Sequence, residues 1–99
     1  MRASVYQSIL LIDDDTDDQE IFVAALKEVS PHIRCYCESD GETAMRLLSQ
    51  NEIATPDLFF IDLNMPRLNG KEVLRKIKSA DALKDIPVIM FSTFFGEIF

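Results

Sequence analysis

The chain has 99 residues, enough for one domain and too few for two. Apolar residues make up 47% of it and charged residues 27%, a balance that fits a domain with a real core and excludes a disordered tail. A net charge of −7 argues against direct nucleic-acid binding, which needs clustered Lys and Arg. No apolar run approaches the roughly 20 residues of a membrane span. Met1-Arg2-Ala3-Ser4 has neither the apolar stretch nor the cleavage site of a secretory signal, so the expected location is cytoplasmic.

Ser8 to Ile12, apolar without a break from Ile9, reads as a strand buried on both faces. Acids follow at once: Asp13, Asp14, Asp15, Asp17, Asp18 and Glu20. Thr16 can cap the next helix, with Gln19 as its capping-box partner, and Asp17 and Asp18 suit the positive helix start. Ile21, Phe22, Ala25, Leu26 and Val29 recur at helical spacing until Pro31 stops the pattern. Ile33 to Cys37 reads as a second strand. Its Cys35 and Cys37 share one face, and no second cysteine pair or nearby histidine completes a metal set, so both read as packing thiols.

Asp40-Gly41 breaks the chain before a helix from Glu42 to Gln50, with Ala44, Leu47 and Leu48 facing inward. Leu58 to Ile61 is the third strand, and Asp62 stands at its end. After the loop from Met65 to Gly70, Lys71 to Ser79 forms a third helix with Val73, Leu74 and Ile77 on its core face. Val88 to Phe91 is the fourth strand, ending at Ser92 and Thr93.

Alternating strands and helices with strands this apolar imply an α/β fold around a parallel sheet covered on both faces. Right-handed crossovers put all strand C-terminal ends on one edge, where such sheets bind ligands. Asp13, Asp14, Asp62 and Ser92 should converge there. Carboxylates this close hold a proton or bind a cation, and oxygen-only ligands select a hard ion such as Mg2+. A cation beside Asp62 would neutralise charge on an incoming phosphoryl group, and an aspartate carboxylate can attack phosphorus to form an acyl phosphate. The Ser92 hydroxyl could then bond a phosphoryl oxygen and act as a switch. Asp13, Asp15 and Asp17 also fit three positions of a calcium loop, but Asp18 and Ala24 stand where glycine and glutamate are needed.

The Ile12-Asp13-Asp14-Asp15 turn, the segment from Asp62 through Asn64, Met65 and Pro66 to Gly70, and the run from Ile86 to Ser92 closely resemble the receiver domain of bacterial two-component response regulators. The resemblance runs in order from about Ser8 to Thr93. It implies that Asp62 is the phosphoacceptor, Asp14 the direct magnesium ligand and Asp13 the holder of a metal-bound water. It further implies that the main-chain carbonyl of Asn64 reaches the metal and that Ser92 is the switch hydroxyl, with Thr93 as a stand-in. Asp14-Asp15-Thr16-Asp17-Asp18 looks like the small stand-alone receivers paired with phytochrome-type or hybrid kinases.

The fold so implied is flavodoxin-like and doubly wound, with strand order 2-1-3-4, helix one on one face and helices two and three on the other or bridging the edge. Residues 1–99 would form one receiver domain shortened at its C-terminus, without the family's fifth strand, the lysine at its end or the fifth helix. Lys84 lies at the wrong end of the sheet to replace that lysine. Strand four would then be an exposed apolar edge beside Phe94, Phe95, Ile98 and Phe99, favouring self-association by edge pairing or by swapping of the C-terminal segment. The implied function is reception of a phosphoryl group from a sensor histidine kinase or phosphotransfer protein, with a change of surface for an unknown output partner. That is a signalling module, neither a turnover enzyme nor a membrane protein. Two alternatives stand beside it. One is a fragment of a haloacid-dehalogenase-like phosphatase using Asp13 and Asp15; the other is a receiver-like interaction module that no longer undergoes phosphotransfer.

Overall fold

The apolar runs pair side by side into one sheet. β1 (Ser8–Ile12) lies between β2 (Arg34–Glu38) and β3 (Leu58–Asp62), and β4 (Val88–Phe91) pairs with β3, all four parallel. The order is β2-β1-β3-β4 as expected, with a short antiparallel β5 (Gly96–Ile98) beyond β4. The computed structural model describes residues 6–65, 68–92 and 96–98. Thr93, Phe94, Phe95, Phe99 and Pro66 therefore lie outside the described residues.

Register assigns the two faces. Leu10, Ile12, Phe59, Ile61, Val88 and Met90 form one cluster with Ala44 and Leu48 of α2 (Gly41–Ser49) and Val73 and Ile77 of α3 (Gly70–Ser79). On the opposite face Leu11 is in register with Cys37 and Phe60, and Phe60 with Ile89. Phe22 of α1 (Thr16–Val29) meets Phe60 edge to face at 4.8 Å between ring centroids, which puts α1 on that side. Helix one thus covers one face and helices two and three the other, in the flavodoxin-like arrangement. Among the described residues no helix is long and apolar enough to cross a membrane.

Three sequence expectations need correction. The edge of β4 is not left open: β5 pairs with it through Ile89, Met90 and Phe91. Unmet backbone donors and acceptors on a strand edge are costly, and the following segment supplies partners for them. Helix α1 is capped by Asp15, not Thr16. Asp15 has extended dihedrals and its Oδ1 accepts from the N–H groups of Asp17 (2.8 Å) and Asp18 (3.2 Å). Last, the apolar stripe of α1 is only partly used. Phe22, Val23 and Leu26 are half-buried, while Ile21 is 68% and Val29 80% exposed.

Candidate functional site

Each strand that carries an acid stops where its apolar run stops, so the carboxylates collect at one rim. Asp13 follows β1, Asp62 closes β3, and one carboxylate oxygen from each of Asp13, Asp14 and Asp62 lies within 4.8 Å of the others. The set is graded in burial: Asp13 is 1% exposed, Asp62 half-buried and Asp14 exposed.

Local hydrogen bonds hold both halves of the site. The Asp15 N–H donates to Asp13 Oδ1 at 3.0 Å, and the Asp13 N–H donates to Glu38 O at 3.0 Å. Gln19 reaches back from the first turn of α1, its Nε2 donating to Asp13 O (2.6 Å) and Ser39 Oγ (3.1 Å). On the other half, the Asn64 N–H donates to Asp62 Oδ1 at 3.0 Å. The Leu63 N–H donates to Phe91 O at 2.8 Å, tying the end of β3 to that of β4, where Ser92 sits half-buried at the rim.

The start of α3 is pressed against the same rim. Gly70 donates its N–H to Leu63 O at 3.3 Å, and a Cβ on Gly70 would stand 2.5 Å from Asp62 O. Only glycine fits that approach. A reciprocal capping box then begins the helix: Asn69 Oδ1 accepts from the Glu72 N–H (3.1 Å) and Glu72 Oε1 from the Asn69 N–H (3.2 Å).

Crowding shows in Asp13, whose carboxyl is pushed up to about 6. Burial is the largest cause and the neighbouring Asp62 charge adds to it, while the Asp15 N–H acts in the opposite sense. Three oxygen donors, graded from buried to exposed, fit a hard divalent cation that keeps several waters. Asp15, the second acid of the phosphatase alternative, caps α1 through its Oδ1 and is not among the three gathered carboxylates. The two thiols behave as packing groups: burial pushes Cys35 up to about 12 and raises Cys37 as well, so neither is a thiolate at neutral pH.

The structure brings Asp13, Asp14 and Asp62 together, with Asn64 bonded to Asp62 and Ser92 on the neighbouring strand end. Sequence reasoning missed two residues here. Gln19 was assigned to a capping box, although a side chain one turn after an acidic pair can return to that loop. Lys71 opened a helix with no further sign, yet it lines an open depression of about 710 Å³ with Asp14, Leu63, Asn64, Met65 and Asn69.

The response regulator receiver domain family matches residues 9–97. Response regulator Rcp1 of Synechocystis sp. is 34% identical over 93 residues, covering 90% of this chain and 63% of Rcp1. The crystal structure of the phosphorylated cyanobacterial phytochrome response regulator RcpA is 35% identical, with a TM-score of 0.81 and coverage of 90% of this chain and 66% of that one. The Mn2+-bound form of Rcp1 is similar at 34% identity and a TM-score of 0.80, over 88% of this chain and 66% of that one. The chain thus spans a little under two-thirds of the length of these relatives.

Proposed function

Because this chain belongs to the response regulator receiver domain family, we propose that it takes a phosphoryl group from a sensor histidine kinase or phosphotransfer protein onto Asp62. The observation that carries this reading is the gathering of three carboxylates within 4.8 Å at the C-terminal rim of the sheet. Two similar structures, one of a phosphorylated relative and one of an Mn2+-bound relative, support it. Asp13, Asp14, Asp62 and the main-chain carbonyl of Asn64 would hold Mg2+, which when bound supplies positive charge against the phosphoryl oxygens. An Asp62 oxygen then forms a bond to phosphorus as the bond to the leaving group breaks, and the leaving group departs with that electron pair. The Asn64 N–H, already on Asp62 Oδ1, fixes the rotamer and leaves the other oxygen to attack. Ser92 would meet a phosphoryl oxygen from the end of β4.

On this reading residues 1–99 act as one cytoplasmic receiver unit with no turnover of its own, altering its surface for an output partner. Self-association belongs to the same proposal, with the edge moved: β5, not β4, is the last strand of the sheet. A light-scattering mass equal to the monomer at high micromolar concentration would count against that part.

Incubation with Mg2+ and acetyl phosphate should label wild type once per chain, in an acid-stable, base-labile bond, and leave Asp62→Asn unlabelled. Sustained release of phosphate without a labelled chain would point to a phosphatase. Metal binding with no labelling and no beryllofluoride response would point to an interaction module without phosphotransfer.

A further inference from the structure

We propose that Lys71 is the cation that receives the anionic phosphoryl donor at the mouth of the Asp62 pocket, a role that rests on the phosphoacceptor reading above. Three placements lead to it. Lys71 follows Gly70, whose backbone is fixed on the end of β3 by the bond to Leu63 O and by the close approach to Asp62 O. Lys71 lines the same open depression as Asp14 and Asn64, the latter bonded through its N–H to Asp62, so a lysine and a candidate metal-binding acid border one open space. And among the described residues no ion pair or hydrogen bond engages its ammonium. The nearby Glu72 carboxylate is held in the capping box with Asn69.

Charge explains the need. Three carboxylates outweigh one divalent cation, so the pocket repels an incoming phosphoryl donor even when loaded. An exposed lysine at the rim offsets that excess where the donor enters, and its flexible stem lets it follow the phosphoryl oxygens as they approach. With acetyl phosphate, the Asp62 oxygen bonds to phosphorus, the bond from phosphorus to the acetyl oxygen breaks, and acetate leaves with the electron pair. Lys71 keeps its proton throughout. Of the other features, the groove lined by Gln19, Glu20, Val23, Ala24, Lys27 and Cys37 has nothing to define an occupant, and the two cysteines are protonated and half-buried.

The test compares wild type, Lys71→Ala and Lys71→Arg in two measurements. One is the rate of labelling by acetyl phosphate across a salt series; the other is Mg2+ affinity by calorimetry with no donor present. Lys71→Ala should label roughly tenfold more slowly at low salt, with the gap to wild type narrowing as salt rises. The same variant should bind Mg2+ about twofold more tightly, since a like charge has left the rim. Lys71→Arg should restore both. Opposite signs for donor and metal are what general damage to the pocket would not produce. Labelling of Lys71→Ala at the wild-type rate, or a loss of Mg2+ affinity alongside labelling, would overturn the proposal while leaving Asp62 as acceptor. Wild type that binds Mg2+ and is never labelled would overturn both readings.

Discussion

On the face of the sheet under α2 and α3, Phe59, Ile61, Val73, Ile77, Val88 and Met90 have no solvent exposure, whereas under α1 Ile9 and Leu11 of the sheet are buried but Phe60 and Ile89 stay half-buried and no side chain of the helix is buried. Burial of apolar surface is the main source of stability, so most of it comes from the first face. The site straddles the difference. Asp62 and Lys71 hang on β3 and α3, which share the deep core, while Asp13 and Asp14 lead into α1, held by its cap, by Gln19 and by Phe22 against Phe60. The acceptor half of the pocket is carried by elements of the deep core, and the acid-pair half runs from the buried end of β1 into a helix whose own side chains are at most half-buried.

Truncating one aromatic on each face gives the largest contrast. Phe59→Ala should cost about 3 to 5 kcal/mol, as for a fully enclosed ring that leaves a cavity. Phe22→Ala should cost about 1 to 2 kcal/mol, for a half-buried ring and its edge-to-face partner. Urea melts of both variants measure this, and equal costs would break the comparison. Gly70→Ala comes next. The added methyl must push either the Asp62 carbonyl or the start of α3 aside, which should cost about 1 to 3 kcal/mol. It should also weaken Mg2+ binding, because the displaced group belongs to the site.

Asp13→Asn should act in two directions. Burial and the Asp62 charge hold the Asp13 carboxyl up at about 6, so ionising it at neutral pH works against the metal-free fold. Its folded value exceeds the ordinary aspartate value of 3.8, so metal-free stability should rise as pH falls through about 6 and level off near 3.8. The asparagine removes that dependence and should stabilise the metal-free protein by roughly 1 kcal/mol at pH 7 after solvent screening. Mg2+ affinity should fall roughly tenfold to a hundredfold. In wild type it should weaken as pH drops through about 6, because the ligand must be ionised. Calorimetry and melts at pH 5 and pH 7.5 read both signs.

Much of this architecture was legible because it depends on runs of residue type. Ile9 to Ile12 and Leu58 to Ile61 are apolar without alternation, which marks them as inner strands, and right-handed crossovers then put their terminal acids at one rim. The cap of α1 was not legible, since Asp15 and Thr16 are both good caps and only the extended dihedrals of Asp15 decide between them. Nor was β5, whose three residues carry no periodicity; it forms because β4 offers an edge. Lys71 escaped notice because its relevance comes from a depression shared by two loops far apart in the chain.

The smallest expected effect is the most direct test of how α1 is held. Periodicity groups Ile21 and Val29 with Phe22 and Leu26, which would make all four core residues. The structure leaves Ile21 and Val29 in solvent, so the helix rests on a narrower strip than its sequence pattern suggests. Exposed apolar side chains bring little stability, and replacing them should change it by less than about 0.5 kcal/mol apart from helix propensity. Val29→Ser and Ile21→Lys should therefore melt close to wild type. A cost above about 1.5 kcal/mol in either would mean that something covers this side of α1 in solution. A concentration-dependent melting temperature in wild type, absent from the variant, would identify that cover as a second copy of the chain.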